Sequence, residues 1–311
     1  MRIKRIVALA IAAVVVLGAG YGAWAKKKAG FIGSEQCASC HKSSHPALIA
    51  AFNKSAHRMA LIDAAKKPDA ILAKFDDKSP VKKADIKWIL GMGVRSQQYM
   101  DKSFKVLPGE WDVKTQSWKA ASSEDGATQC LGCHVTNYDA EGKAWTETGA
   151  GCESCHGPGE AHADSMDAAD IQGLKKLDSK QKDMVCGQCH SVGTDTTGKY
   201  AFPTTYLPGN DLEKSFKLKD PGNHSRNSQY NDFITSKHYA GGMTCTTCHD
   251  PHGDKTKAAH QLKQPINDQC LTCHAATIES LKKHAPDAPA DATCATCHMV
   301  NGSHKFEKAK K

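Results

Sequence analysis

The apolar residues of the chain form one long run and several short segments with helical spacing. The run extends from Ile6 to Ala25. Apolar residues at helical spacing predict a helix from Pro46 to Ala65 that bears His57. Shorter helices are expected from Asp232 to His238 and from Ala275 to His284. Because elements of this length present little apolar surface, the pattern predicts a mainly α fold of short helices and long loops with little regular structure.

One long segment has a β-like pattern instead. Apolar and polar residues alternate from Lys102 to Leu107, which is typical of a strand. The Pro108-Gly109 pair favours a turn directly afterwards. We therefore expect a small β-hairpin near residues 100–120, within a cysteine-free segment that covers residues 66–120.

The composition is too polar for an ordinary core of this size. The chain has 311 residues, of which 6% are aromatic, and its mean hydropathy is −0.50. A length of this order allows one large domain or two modest ones. A bound apolar group would supply the missing buried surface, at about 25 cal/mol for each Å² removed from water.

The cysteines indicate which group this is. All 14 cysteines fall in seven copies of the pattern C-x-x-C-H, which we number motif 1 to motif 7 in chain order. In this pattern two thiols form thioethers with a porphyrin, and the histidine that follows is an axial ligand of its iron. Zinc sites or disulfides, the competing interpretations, would not require a histidine after every second cysteine. The sequence therefore predicts seven covalently bound haems c, which form the core of the fold and are numbered like their motifs.

The motifs assign two sets of haem-binding residues. The predicted thioether cysteines are Cys37, Cys40, Cys130, Cys133, Cys152, Cys155, Cys186, Cys189, Cys245, Cys248, Cys270, Cys273, Cys294 and Cys297. The predicted proximal iron ligands are His41, His134, His156, His190, His249, His274 and His298.

Nine of the 16 histidines lie outside the motifs. Low-potential multihaem proteins usually fill the sixth iron position with a second histidine. The predicted distal ligands are His57, His162, His238, His252, His260, His284 and His304. His45 is too close to His41 to fit well, and His224 stays an alternative to any of the seven. Methionine is the other sixth ligand, but packing is the favoured role of Met59, Met100, Met243 and Met299.

The haems would reverse the formal charge of +8. Without residues 1–25 the chain carries about +5, because Arg2, Lys4 and Arg5 are lost. Each haem adds two negatively charged propionates, and each ferric haem adds about one positive charge. The net charge of the haem protein would then be about −2 when oxidised and about −9 when reduced. This balance excludes nucleic acid as a partner. The lysines are expected to neutralise propionates, contact an acidic redox partner or face solvent.

The first 25 residues resemble a secretory signal peptide. A basic start precedes the apolar run, and Ala23-Trp24-Ala25 forms a cleavage site. Haems of this type are attached outside the cytoplasmic membrane, so export agrees with the motifs. The apolar run of about 20 residues is also long enough to span a bilayer. We expect an exported protein, periplasmic or extracellular, that contacts the membrane only if this segment stays uncleaved as an anchor.

The motif positions predict a modular chain. The modules are the signal peptide at 1–25, haem 1 with the cysteine-free lobe at 26–120, haems 2–4 at 121–230, haems 5–7 at 231–304, and a basic, disordered tail at 305–311. Two interpretations of the lobe stay open: it packs over a haem, or it binds a partner protein.

Several short segments resemble multihaem cytochromes of one family, which includes the tetrahaem electron acceptor of hydroxylamine oxidoreductase. The segments are residues 55–57, 145–162, 229–233, 236–238 and 245–253. The resemblance covers most of residues 34–300 and depends mainly on the haem motifs. It implies a secreted electron-transfer protein with bis-histidine haems stacked in parallel and perpendicular pairs. It further implies distal roles for His57, His162, His238 and His252, whereas the order of seven haems does not carry over.

The haem motifs and the spare histidines are compatible with an electron carrier, an enzyme or a filament subunit. The favoured one is an electron carrier that is not an enzyme and exchanges electrons with redox proteins, since closely spaced haems need only proximity. The alternative is an enzyme that reduces or oxidises a small nitrogen or sulfur compound at one five-coordinate haem. The C-x-x-C-K motif of pentahaem nitrite reductases does not occur here. An oligomer or conductive filament is a third interpretation, which nine spare histidines weaken by making the chain self-sufficient.

Overall fold

The computed structural model describes residues 30–220, 227–275 and 281–307. The predicted signal peptide, His224 and residues 308–311 lie outside these ranges, as does the middle of the helix expected from Ala275 to His284. Short helices and three small sheets make up the regular structure of the described residues, as the sequence pattern predicts.

The helices are brief, and each motif overlaps one. They are α1 (Ser34–Ser44), α2 (Pro46–Phe52), α3 (Gly126–Gln129), α4 (Leu131–His134), α5 (Cys152–His156), α6 (Glu160–Ser165), α7 (Ser179–Gly187), α8 (Gln229–Phe233), α9 (Lys237–Ala240), α10 (Cys245–Cys248), α11 (Ile266–His274), α12 (Leu281–His284) and α13 (Cys294–His298). Within the described ranges the longest helix has 11 residues, and none is suited in length and character to cross a membrane.

Two of the predicted helices are interrupted. The helix expected from Pro46 to Ala65 ends at Phe52, and His57 lies in the turns that follow. The Ser55 hydroxyl accepts a hydrogen bond from the Arg58 amide there, which replaces a helical backbone bond. The helix expected from Asp232 to His238 is likewise divided between α8 and α9, and the Ser236 hydroxyl caps α9.

The cysteine-free segment forms a larger sheet than predicted. Five antiparallel strands follow one another in chain order: β1 (Leu61–Asp63), β2 (Trp88–Leu90), β3 (Ser96–Met100), β4 (Val106–Asp112) and β5 (Ser117–Ala120). We call residues 61–120 the sheet lobe. The other strands form two small pairs, β6 (Val135–Thr136) with β7 (Glu147–Thr148) and β8 (Gly193–Asp195) with β9 (Phe216–Leu218).

The turn expected at Pro108-Gly109 is wrong. Both residues lie inside β4, at the point where its pairing with β3 shifts register. Proline has no amide hydrogen to donate, so a bulge is one of the few places where a paired strand accepts it. The β3–β4 connection lies instead near Phe104, and the β4–β5 connection near Gln116, where both residues have positive φ.

The two faces of the sheet lobe bury different cores. Leu61, Leu90 and Met100 pack with Leu131 and Val135, which belong to or follow motif 2. Their chain neighbours point the other way, because successive strand residues alternate between faces. That second face is filled by Ile62, Ile89, Tyr99 and Trp111. The lobe therefore packs against the segment that carries motif 2.

The tail expected from residue 305 is ordered at its start. The Phe306 ring lies 4.3 Å from the His238 ring and 5.8 Å from the His304 ring, measured between centroids. This aromatic side chain therefore packs against two predicted distal ligands. The proposed division into haem modules stays a prediction.

Candidate haem sites

Six of the seven motif histidines each face a further imidazole in the described part of the chain. The ring centroids of these pairs lie 5.9–6.2 Å apart. Two nitrogens bound to one metal ion by bonds of about 2 Å would hold their rings about 6 Å apart. The pairs, with the motif histidine first, are His41–His162, His156–His252, His190–His57, His249–His304, His274–His238 and His298–His284.

Backbone carbonyls determine which ring nitrogen is available to a metal. Nδ1 of His134 lies 2.7 Å from the Ala60 oxygen, and Nδ1 of His156 lies 3.0 Å from the Gln172 oxygen. Since a carbonyl only accepts, Nδ1 must donate, and Nε2 keeps its lone pair for iron. The same contact to a backbone oxygen occurs at His162, His249, His298 and His304.

Burial keeps several motif imidazoles neutral. It lowers the pKa of His134, His156 and His249 below the ordinary value. The pKa of His190 falls to about 4, because burial is reinforced by the neighbouring His57. Only a neutral imidazole offers a lone pair to a metal, so these rings have the protonation state that iron ligation needs.

Motif 2 differs from the other six. Within the described ranges no second imidazole faces His134, although His134 is half-buried and its Nδ1 faces a backbone oxygen as in other motif histidines. His260, one of the seven predicted distal ligands, is exposed, and its ring forms no pair with a motif imidazole in the described part of the chain. It has left-handed backbone angles, with φ 59° and ψ 30°, and its carbonyl accepts the Nδ1 hydrogen of His249.

The remaining spare histidines are also accounted for. His45 lies 5.9 Å from His41, one helical turn along the chain, with their ring planes tilted by 57°. Its Nδ1 lies 2.8 Å from the Ser44 hydroxyl. His224 lies outside the described residues. The axial roles of all these histidines stay predictions.

Cysteines of different motifs lie side by side. Neighbouring thiols that are close enough to shift each other's pKa are Cys37 with Cys152, Cys133 with Cys189, Cys186 with Cys245, and Cys270 with Cys294. Cys155 is close to Cys186 and Cys189, and Cys248 is close to Cys273. These neighbours place the motifs in the spatial order 1, 3, 4, 5, 6 and 7, with motif 2 beside motif 4.

A buried acid that sequence reasoning missed joins the start of the described chain to motif 3. Glu153, inside the motif Cys-Glu-Ser-Cys-His, is 1% exposed. Its carboxylate accepts hydrogen bonds from the amides of Ile32, Gly33 and Gly159, at 2.7–3.1 Å. Three backbone amides that donate to one carboxylate form a strong, charge-assisted anchor. An acid within a haem motif is the signal that could have indicated it.

The residues present fit covalent haem. Each motif brings its thiols and its histidine together on a short helical segment, and six imidazole pairs have the spacing of two ligands on one metal. Iron porphyrins would supply one-electron chemistry at these positions. The fold and these sites define the chain as a multihaem c-type cytochrome.

Two protein-family models match parts of the chain. Residues 96–157 match the family described as cytochrome c554 and c-prime. Residues 237–279, which contain motifs 5 and 6, match the doubled CXXCH motif. These matches agree with a multihaem c-type cytochrome.

Relatives and a solved structure lead to the same class. The dissimilatory sulfite reductase MccA of Wolinella succinogenes is 24% identical over 247 residues, 68% of this chain and 33% of that protein. Cytochrome c-554 of Nitrosomonas europaea is 33% identical over 111 residues, 29% of this chain and 47% of that protein. The chain thus spans between a third and a half of these relatives' length. The crystal structure of the outer cell wall cytochrome OcwA has a similar fold, with a TM-score of 0.71 and 21% identity over 89% of this chain and 79% of that one.

Proposed function

We propose that this chain carries seven haems c and relays electrons between redox proteins through bis-histidine haems. The observation that supports this most directly is the series of neighbouring cysteines from different motifs. Thioether sulfurs attach to the porphyrin edge, so neighbouring sulfurs bring haem edges near one another. Electron transfer between haems requires only this proximity.

The contacts favour one route. Electrons would pass through haems 1, 3, 4, 5, 6 and 7, and haem 2 would exchange electrons with haem 4. Haem 1 suits one end, because Cys40 and His41 are exposed in α1. Cys186 and Cys189 of motif 4, in the middle of this order, are half-buried. Donor and acceptor proteins would therefore dock near haem 1 and haem 7.

The proposal includes export across the cytoplasmic membrane and kinship with a known cytochrome family. Haem attachment to C-x-x-C-H motifs and the signal-like residues 1–25 support a location outside the cytoplasmic membrane, in the periplasm or beyond it. The match of residues 96–157 to the cytochrome c554 model supports kinship with the tetrahaem acceptor of hydroxylamine oxidoreductase.

A second candidate function is catalysis at haem 2. It is favoured by the absence of a second imidazole opposite His134 among the described residues, and by the relative that is a dissimilatory sulfite reductase. An iron with one free position could bind a small nitrogen or sulfur compound. His224, outside the described ranges, is the sequence's own candidate for filling that position.

Three measurements on the purified haem protein separate the two functions. A relay with every iron six-coordinate gives only low-spin ferric signals by electron paramagnetic resonance (EPR), and its reduced form binds no carbon monoxide. It takes up seven electrons and returns them to an oxidant, without turnover of nitrite, hydroxylamine or sulfite. One high-spin haem that binds one carbon monoxide, together with sustained turnover, would overturn the relay in favour of catalysis.

A further inference from the structure

One hydrogen bond recurs between motifs at three places. The first cysteine of motifs 3, 5 and 7 donates its backbone amide to a side chain from another motif's helix. Cys152 donates to the Ser34 hydroxyl at 2.8 Å. Cys245 donates to Asp183 Oδ1 at 2.8 Å, and Cys294 donates to Asn267 Oδ1 at 2.9 Å.

The three acceptors occupy the same position in their own motifs. Ser34, Asp183 and Asn267 each lie three residues before the first cysteine, in motifs 1, 4 and 6 respectively. The first cysteines of the joined motifs are also neighbours whose thiols shift each other's pKa: Cys37 with Cys152, Cys186 with Cys245, and Cys270 with Cys294. The same arrangement is therefore built three times, on α1 with α5, α7 with α10, and α11 with α13.

In the other motifs no buried side-chain acceptor occupies this position. Ala127 and Gly149 stand there in motifs 2 and 3, and Gly242 and Asp291 in motifs 5 and 7. Asp291 is the one residue of these four with a side-chain acceptor, and it is exposed. The contact between motifs 2 and 4 has a different form, because it joins the second cysteines, Cys133 and Cys189.

Helix chemistry explains why the amide needs an outside acceptor. A helix leaves its first amides without partners inside the helix. In α10 and α13 the capping residues Thr244 and Thr293 bond the amide at the third position, and α5 begins after Gly151, which has no side chain. The first amide, on the cysteine itself, is therefore left for the neighbouring helix to satisfy.

We propose that Ser34, Asp183 and Asn267 are positioning residues that join six of the seven motifs into three equivalent haem pairs, 1 with 3, 4 with 5, and 6 with 7. This inference rests on the proposed function only in that it assumes haem at each motif. Each side chain holds the attachment point of the second haem at a fixed place beside the first. The pairs then follow one another along the route, with haem 2 attached through a different contact.

The pair formed by motifs 4 and 5 is joined through an acidic side chain. Asp183 is 0% exposed, and its second oxygen, Oδ2, is buried without a hydrogen-bond partner among the described residues. Ser34 and Asn267 are neutral at the corresponding places. Asp183→Asn keeps the acceptor atom and removes the charge, so it separates the role of the hydrogen bond from that of the carboxylate.

The test uses the full-length haem protein in four alanine variants and one conservative variant. The positioning variants are S34A, D183A and N267A, the control is D291A, and D183N tests rescue. A pyridine haemochrome assay first establishes the haem count of each protein. Amide hydrogen exchange followed by mass spectrometry then measures protection at the first cysteine of motifs 3, 5 and 7, and EPR records the haem signals.

Each positioning variant is expected to keep its haems, to raise amide exchange about fivefold at its partner cysteine, and to change the EPR signals of two haems only. D183N should behave like the parent protein in exchange, and D291A should change neither measurement. Unchanged exchange and spectra in S34A and N267A would overturn the proposal, as would spectral changes spread over all haems. Carbon monoxide binding or turnover would contradict the relay but leave these pair-specific readouts intact, so the two failures are distinguishable.

Discussion

Two histidines near motif 5 show how the backbone decides what an imidazole can do. The His304 ring lies 6.2 Å from the His249 ring, with Nδ1 directed at the Gly302 oxygen, so its Nε2 is free. His260 reaches the same histidine through its backbone carbonyl instead, in a left-handed conformation that non-glycine residues rarely adopt. The sequence predicts both residues as distal ligands, because the ring orientation that distinguishes them depends on the fold.

Alanine variants of these two histidines should therefore differ. H304A removes the imidazole that faces His249, and one haem is expected to become high-spin by EPR. H260A keeps the carbonyl that orients His249, so the haem spectrum should stay low-spin at motif 5. The two variants are compared at equal haem content. A new high-spin signal in H260A, with none in H304A, would reverse the assignment.

Gly132, inside motif 2, is packed so closely that a single added carbon atom would disturb its surroundings. A Cβ placed at Gly132 would overlap the ring of Phe202, which is 2% exposed. Forcing extra volume into a packed site typically costs about 1–3 kcal/mol. G132A should therefore lower the free energy of unfolding in urea by about that amount. G173A is the matched control, since nothing lies within 4 Å of its added Cβ, and equal stability of the two variants would contradict the close packing seen here.

The helices and strands show which structural features local sequence patterns can predict. The short motif helices follow directly from sequence, because the C-x-x-C-H spacing acts locally. Gly157, which follows α5 with a φ of 71°, is a residue type that commonly ends a helix. Alternation near residue 104 predicts β structure, but it cannot reveal β1 and β2, which have three residues each. Their membership depends on pairing with β3, a non-local choice. The bulge that admits Pro108 is likewise set by the partner strand.

The β1–β2 pair contains an ion pair with a defined pH dependence. Burial alone would raise the pKa of Asp63, but hydrogen bonds from Lys87 Nζ, at 2.8 Å, and from the Ala65 amide outweigh it, so the pKa lies below 3.8. An acid with a lowered pKa stabilises the fold above its unfolded pKa and loses this effect as pH falls through the folded value. D63N should therefore destabilise the lobe by about 1 kcal/mol at pH 6. This loss of stability should become smaller as the pH drops below 4.

Tryptophan fluorescence reports this effect, because Trp88, Trp111 and Trp118 all lie in the sheet lobe. Urea unfolding curves at pH 6 and pH 3.5 give the difference between parent and D63N at each pH. The exposed Asp69, in the same lobe, supplies the control D69N, which should match the parent at both. A D63N deficit that grows on acidification would mean that the carboxylate is not stabilised by Lys87.

At the scale of the whole molecule, the sequence predicts how many haem motifs there are but not how they are connected. Motif 3 follows motif 2 along the chain, yet Cys152 of motif 3 lies near Cys37 of motif 1, and Cys133 of motif 2 lies near Cys189 of motif 4. Spacing along the chain carries no information on such pairs, because loops of similar length join neighbours and non-neighbours alike. The repeated acceptor three residues before Cys37, Cys186 and Cys270 is a sequence signal, but only the structure shows what it bonds to.

The proposed route makes haem 4 a step that every electron must pass between haems 1 and 7. H57M would replace the imidazole facing His190 by a thioether, which raises the reduction potential of haem 4. Each rise of 59 mV in this potential makes haem 4 bind a single electron about tenfold more tightly. Reoxidation of the one-electron-reduced protein by ferricyanide should therefore slow by at least about tenfold. H284M raises the potential of haem 7 instead, at a proposed end of the route, where the oxidant reaches the haem directly. It should slow reoxidation less than H57M does at an equal shift in potential, measured by redox titration. Equal slowing in both variants would mean that haem 4 meets the oxidant itself and does not lie in the middle of the route.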